Sequence, residues 1–270
     1  MFVIPADRLP PGFAERIETP PAEPAPPRPA ATAVLLREGA AGPEVLLLRR
    51  HRSAGFVPGA FVFPGGRVDP ADAEPRLAEH ADGLATGAEP EPAYWMAAVR
   101  EVFEETGILL ARDAAGRAAP DATTDERIAE WRDALMDERA SLADVVRALE
   151  LRLALDDVVY FAHWITPIAE HRRYDTRFFL ARVPEGRDAR ADPREMTEAV
   201  WLSPVEALER FHAGRLPMVF PTVATLESLA VFRSVNDALD ASRHRLVRPI
   251  LPRLVRTADG VGIVVDEEAS

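Results

Sequence analysis

The sequence predicts a mixed α and β fold, with central strands paired in a mixed sheet and extra helices towards the C-terminus. Three observations carry this. "DDVVYFAHWIT" and "RYDTRFFLARV" are rich in β-branched and aromatic residues and read as strands. "AYWMAAVREVFEET" has its apolar residues at helical spacing. "SPVEALERFHAG" opens on Ser-Pro and closes on Gly, which marks a helix at both ends.

Taken in order, Thr19 to Ala30 is proline-rich and predicts an extended or disordered tail, with order beginning near Ala31. "TAVLLRE" and "EVLLLRR", separated by "GAAGP", predict a hairpin. "GAFVFPGG" predicts a short strand that cannot continue through proline and two glycines. Arg67 to Pro92 is polar and reads as a loop. A helix then starts near Pro92, where proline is tolerated in a first turn, and stops at Gly107 as a left-handed C′ residue. Asp125 to Leu151 predicts two helices broken near Ala140–Ser141, and "EAVWLS" a third strand. "PTVATLESLAVFRSVNDALDAS" reads as one longer helix, and the last ten residues as peripheral.

Composition removes several function classes. The chain has no cysteine, which excludes disulfides, thiolate metal sites and a cysteine nucleophile. All 32 basic residues are arginine, so a lysine-bearing phosphate loop and a Schiff-base enzyme are excluded. A net charge of −12 argues against a nucleic-acid binder, but not against a phosphorylated small substrate whose charge a cation offsets. No apolar run reaches the ~18 residues of a membrane span. "MFVIPADRLPPGF" lacks a basic-then-apolar leader, so a cytoplasmic protein is the default expectation.

One stretch asks for an explanation. In "AAVREVFEETG", Glu101, Glu104 and Glu105 fall at i, i+3 and i+4 and share one stripe. The bland reading is a solvated helix face. Against it, the acids sit at the helix C-terminus, where the macrodipole disfavours each by ~0.3–1 kcal/mol. Only Arg100 is near enough to offset them. A divalent cation resolves the crowding, because Mg²⁺ and Mn²⁺ take carboxylate oxygens and keep several waters. Bound ions can clamp a diphosphate and activate a water, while Arg100 holds a carboxylate in place.

"FPGGRVDPAD" and "AAVREVFEETGI" resemble the two halves of the Nudix box, G-x5-E-x7-R-E-U-x-E-E-x-G-U. Gly66 takes the first glycine, and Arg100, Glu101, Val102, Glu104, Glu105, Gly107 and Ile108 take the second half without a mismatch. Asp72 stands where the pattern has its first glutamate. Between Asp72 and Arg100 lie 27 residues where the pattern has seven. The box is thus split into 66–72 and 100–108 by an insertion at 73–92. The resemblance implies an α/β/α sandwich over 31–203, hydrolysis of a nucleoside diphosphate linked to another group, and Mg²⁺ or Mn²⁺. It places Arg100, Glu101, Glu104 and Glu105 in catalysis. It puts the metal on Glu101, Glu104, Glu105 and the Gly65 carbonyl. Residues 1–30 are left as the proline-rich segment and 204–270 as a helical extension packed on the domain.

"LLLRRHRSAGFVPGAFVFPGG" is similar to the pattern preceding the box in coenzyme A-cleaving members, supplying Leu46, Leu47, Arg50, Gly59 and Phe63 to Gly66. Leu48, His51 and Gly55 break that pattern. Further stretches resemble the peroxisomal coenzyme A diphosphatase-like subgroup, which also carries an insertion in its box, although "EEAS" is no peroxisomal signal. Coenzyme A or acyl-coenzyme A is the substrate so implied. An NADH or ADP-ribose pyrophosphatase and a non-catalytic nucleotide-binding regulator are the alternatives. Substrate phosphates are assigned to Arg50, Arg52, Arg173 and Arg177, with a surface ion pair to Asp175 as the alternative for the last two. His163 reads as core rather than catalytic. Glu195 and Glu198 both remain candidates for an added carboxylate, and a homodimer stays open.

Overall fold

The computed structural model describes residues 2–9, 12–19, 21–53, 57–84 and 87–265. In chain order these contain β1 (Phe2–Pro5), α1 (Phe13–Glu18), β2 (Arg28–Gly39), β3 (Gly42–Arg50), β4 (Phe61–Val62), β5 (Gly65–Arg67), α2 (Pro75–Glu79) and β6 (Ala81–Asp82). There follow α3 (Pro92–Thr106), β7 (Ala111–Arg112), α4 (Glu126–Met136), α5 (Leu142–Ala148), β8 (Arg152–Ala154), β9 (Val158–Ile165) and β10 (Tyr174–Arg182). The last are β11 (Met196–Leu202), α6 (Pro204–His212), α7 (Phe220–Leu229), α8 (Val235–Arg243), β12 (Pro249–Ile250), β13 (Arg253–Thr257) and β14 (Gly260–Val264).

The central sheet is mixed, in the order β11-β3-β2-β10-β9-β12, with β4 on β3 and β5 on β2. β2 runs parallel to β10, and the β2–β3 hairpin closes at Gly39 and Gly42. Alternation along β2 and β3 divides the apolar side chains between two cores. Ala31, Ala33, Leu35, Leu46 and Leu48 face α3, with Val99, Val102 and Phe103. Val34, Leu36, Val45 and Leu47 face the other way, with Leu226 and Leu239 of α7 and α8. Helices on both faces of a mixed sheet make an α/β/α sandwich.

Several expectations change. The insertion 73–92 is not a polar loop. It holds α2 and β6, Leu77 is buried in the α3 core, and β6 pairs with β8. Gly65–Arg67 continues as a short strand, because Thr32, Ala31 and Ala30 of β2 offer it a partner. The long C-terminal helix is two, since Ser234 caps α8 by accepting from the Asp237 N–H. The end of the extension is strand rather than helix. β1 pairs with β14, so Phe2–Pro5 joins the C-terminal hairpin, and Phe2 stacks on Phe211.

Candidate active site

α3 carries the acids, and its two ends explain its position. Pro92 starts it, and Gly107, at φ 77°, stops it in a conformation that favours glycine. Its inner face buries Val99, Val102 and Phe103, which fixes the rotation and turns Glu101 and Glu105 towards β5. There the Gly65 N–H donates to Glu105 Oε2 at 3.1 Å. Gly66 is packed so closely that a Cβ would sit 2.3 Å from Glu101 Oε1. Gly66 therefore leaves room for the Glu101 carboxylate, while Gly65 gives Glu105 an N–H.

Arg100 is buried and spends every donor. Nε and Nη2 hold the two oxygens of Asp72 at 2.9 and 3.1 Å. Nη1 donates to Glu101 Oε1 at 2.9 Å and Glu104 Oε2 at 3.0 Å. Nη2 also reaches the Arg67 carbonyl at 2.7 Å. Asp72, whose shorter side chain replaces a glutamate, still grips the arginine, because it lies buried in a 3₁₀ turn and caps it from the Asp69 N–H.

The carboxylates lack enough positive charge. Burial pushes the Glu101 carboxyl up to about 7, with Arg100 opposing and Glu104 adding to the rise. Glu104 is raised by burial too. Glu105 is pushed well above the usual carboxylate range by burial and by the Glu101 charge, against the Gly65 N–H and Arg50. Hard oxygen donors held out of water with unbalanced charge fit a divalent cation. Among the described residues no group of three or more acidic or histidine side chains is arranged to hold a metal ion. Mg²⁺ does not need such a group, since it keeps waters and takes one or two carboxylates.

Arg50, at the end of β3, lies near enough to Glu105 to lower its pKa, and its buried Nε has no hydrogen-bond partner. Arg52 is exposed on the following turn, and Gly55 lies outside the described residues. The other two assigned arginines are otherwise engaged. Arg173 is buried and donates to the carbonyls of Thr166 and Ala25. Arg177 pairs with Asp175, donates to His163 and lies 4.5 Å from the Tyr94 ring centroid. Both therefore already brace the protein, Arg173 through Nε and Nη1 and Arg177 through Nη1. His163 is buried, and desolvation lowers its pKa. The charge of Glu195 reaches Glu105, whereas Glu198 faces Arg49 at 3.6 Å on β11. Arg132, which sequence reading passed over, donates to the Glu104 carbonyl from Nε and Nη2 at 2.9 and 2.7 Å.

A family model described as the NUDT19 Nudix domain matches residues 77–229. A Gallus gallus protein named acyl-coenzyme A diphosphatase NUDT19 is 30% identical over 291 residues, covering 85% of this chain and 76% of its own. The Homo sapiens protein of that name is 29% identical over 264 residues, covering 82% and 70%. The crystal structure of a NUDIX hydrolase from Alicyclobacillus acidocaldarius superposes with a TM-score of 0.66 at 30% identity, covering 80% of this chain and 96% of that one. The split box, the sandwich that carries it and these likenesses agree: the chain belongs to the Nudix hydrolases, enzymes that use a divalent metal to cleave a diphosphate in nucleotide-linked substrates.

Proposed function

We propose that this enzyme hydrolyses the diphosphate of coenzyme A or of its acyl thioesters. The observation that carries the substrate is the 30% identity, across 85% of the chain, to a protein named for that activity. The substrate-side geometry supports it: Arg50 carries an unpartnered Nε beside Glu105, where a phosphate would meet it. Arg52, exposed on the following turn, would assist.

Glu101, Glu104, Glu105 and the Gly65 carbonyl would hold Mg²⁺ or Mn²⁺. Such an ion, when bound, neutralises phosphate oxygens and makes a water more acidic. The chain's own residues do the rest. Arg100 fixes one oxygen each of Glu101 and Glu104 and leaves the second of each free. Glu195 would accept the proton of the attacking water, because Glu198 is turned to Arg49. The water oxygen bonds to one phosphorus as the bridging P–O bond breaks. The products are 3′,5′-ADP and 4′-phosphopantetheine or its acylated form.

The test is turnover of coenzyme A, an acyl-coenzyme A, dephospho-coenzyme A, NADH and ADP-ribose with Mg²⁺ and with Mn²⁺, products identified by mass. Coenzyme A or its thioester should lead, with dephospho-coenzyme A poorer because it lacks the 3′-phosphate. Faster hydrolysis of NADH or ADP-ribose would make the chain a dinucleotide pyrophosphatase instead.

A further inference from the structure

We propose that Arg132 is a positioning residue for this reaction: a buried cation on α4 that pins the C-terminus of the carboxylate helix to the loop bearing Glu195. The inference rests on the site reading above and goes beyond it, since Arg132 lies outside the box and touches no carboxylate.

An α-helix leaves its last carbonyls without partners, and buried ones must find them. Here each is accounted for. The Phe103 carbonyl takes the Gly107 N–H at 2.9 Å. Glu104 takes Arg132 Nε and Nη2 at 2.9 and 2.7 Å. Glu105 takes the Asp192 N–H at 3.0 Å, Thr106 the Arg190 N–H at 2.8 Å, and Gly107 the Ala122 N–H at 3.0 Å. Four of these five partners are backbone amides. The fifth is a guanidinium, placed at the carbonyl of a residue proposed to hold the metal.

Its second contact gives it the further role. Arg132 Nη2 also donates to the Arg190 carbonyl at 3.1 Å, so one nitrogen bridges the helix end and the 190s loop. From there the chain turns through the Asp192 carbonyl, which accepts the Met196 N–H at 2.8 Å, and the Glu195 carbonyl accepts the His51 N–H at 2.8 Å. The loop is thereby tied at one end to α3 and at the other to the end of β3. Arg132 adds a side-chain tie to the two backbone bonds, Arg190 N–H to Thr106 and Asp192 N–H to Glu105, that hold the loop and Glu195 at a fixed separation from Glu104 and Glu105. It also brings positive charge to the negative end of the helix dipole, where the acids are crowded. Arg132 is itself held firm. Ile128 and Leu135 bury α4, and Asp125 caps it by accepting from the Arg127 N–H.

The experiment compares wild type with Arg132→Met, which keeps length and loses the donors, and Arg132→Lys, which keeps charge and loses the fork. Metal-free protein is titrated with Mn²⁺ alone, by the electron paramagnetic resonance of free Mn²⁺, and amide exchange is followed by NMR. Arg132→Met should weaken Mn²⁺ binding roughly 10-fold or more, as loss of a group supporting a ligand does. It should speed exchange at Arg190 and Asp192 while β9 and β10 keep their protection. kcat should fall and KM stay within about 3-fold, because the contact acts on the reacting groups rather than on substrate binding. Arg132→Lys should lie between the two, and it carries the test if the methionine variant does not fold. Folded variants with wild-type Mn²⁺ affinity and wild-type exchange at 190 and 192 would overturn the proposal. The site reading is tested apart from it by Glu105→Gln: unchanged Mn²⁺ binding there would sink that reading, whatever Arg132 does.

Discussion

Arg100 holds both oxygens of Asp72, at 2.9 and 3.1 Å, across an insertion that separates the two halves of the box in sequence. Both groups are buried, and the same guanidinium orders Glu101 and Glu104. Removing Asp72 strands two buried donors of Arg100, while Glu101 and Glu104 still offset its charge. Asp72→Ala should therefore cost about 1–3 kcal/mol of stability, as leaving buried donors unpaired does. Chemical denaturation measures this. A loss below about 1 kcal/mol would place the pair in the class of solvated surface bridges.

The two glycines of "FPGG" should fail differently. The three atoms nearest a Cβ on Gly66 all belong to the Glu101 carboxylate, at 2.3 to 2.7 Å, and that side chain can swing away. Gly66→Ala should fold with near wild-type stability and lose turnover by roughly 10²-fold or more, since it displaces a charged group of the site. A Cβ on Gly65 would meet the Ala31 carbonyl at 2.5 Å and the Thr32 Cα at 2.8 Å, which are backbone. Gly65→Ala should lower the melting temperature. Equal melting temperatures for the two variants would contradict this division.

What was legible in the sequence follows from how strong each local signal is. α3 has fifteen residues, an apolar stripe, a proline at its start and a glycine at its stop, and its limits were read correctly. The hairpin of β2 and β3 was equally plain. α2 was missed because five residues with one buried leucine give no period to read. Arg132 was missed because an arginine within "IAEWRDAL" fits a solvated face as well as a buried one. Arg173 and Arg177 were hard to place for a related reason. In a chain whose every basic residue is arginine, the type cannot tell a phosphate ligand from a brace for carbonyls. The carboxylates of α3 were legible because their crowding costs energy that only chemistry explains.

The insertion should be structural. Leu77 is 1% exposed and packs into the core that carries α3. Leu77→Ala should cost about 2–5 kcal/mol, the range for deleting a buried leucine side chain. Replacing 73–92 by a short spacer should prevent folding, because it removes Leu77 and the β6 partner of β8. A folded, soluble spacer variant with an unchanged urea midpoint would show the segment to be peripheral.

Removal of metal should reverse the usual effect of pH on a carboxylate protein. The Glu101 carboxyl lies at about 7 in the folded chain against an ordinary 4.5, and Glu104 and Glu105 are raised as well. A raised carboxyl binds its proton more tightly in the folded state. The stability it contributes is full below about 4.5 and is lost as pH rises through about 7. For Glu101 that loss is on the order of 3–4 kcal/mol, at ~1.4 kcal/mol per unit. Asp113, Asp137 and Asp144 shift the opposite way, being held below their ordinary value of 3.8, so their effect falls at lower pH and does not mask this window. In EDTA the urea midpoint should drop between pH 5 and pH 8. Saturating Mg²⁺ should raise it most at pH 8, where the carboxylates are charged and the ion replaces the proton. A midpoint that is flat in EDTA over this range, and equally raised by Mg²⁺ at both ends, would mean that the carboxylates of α3 are solvated and that the cation binds elsewhere.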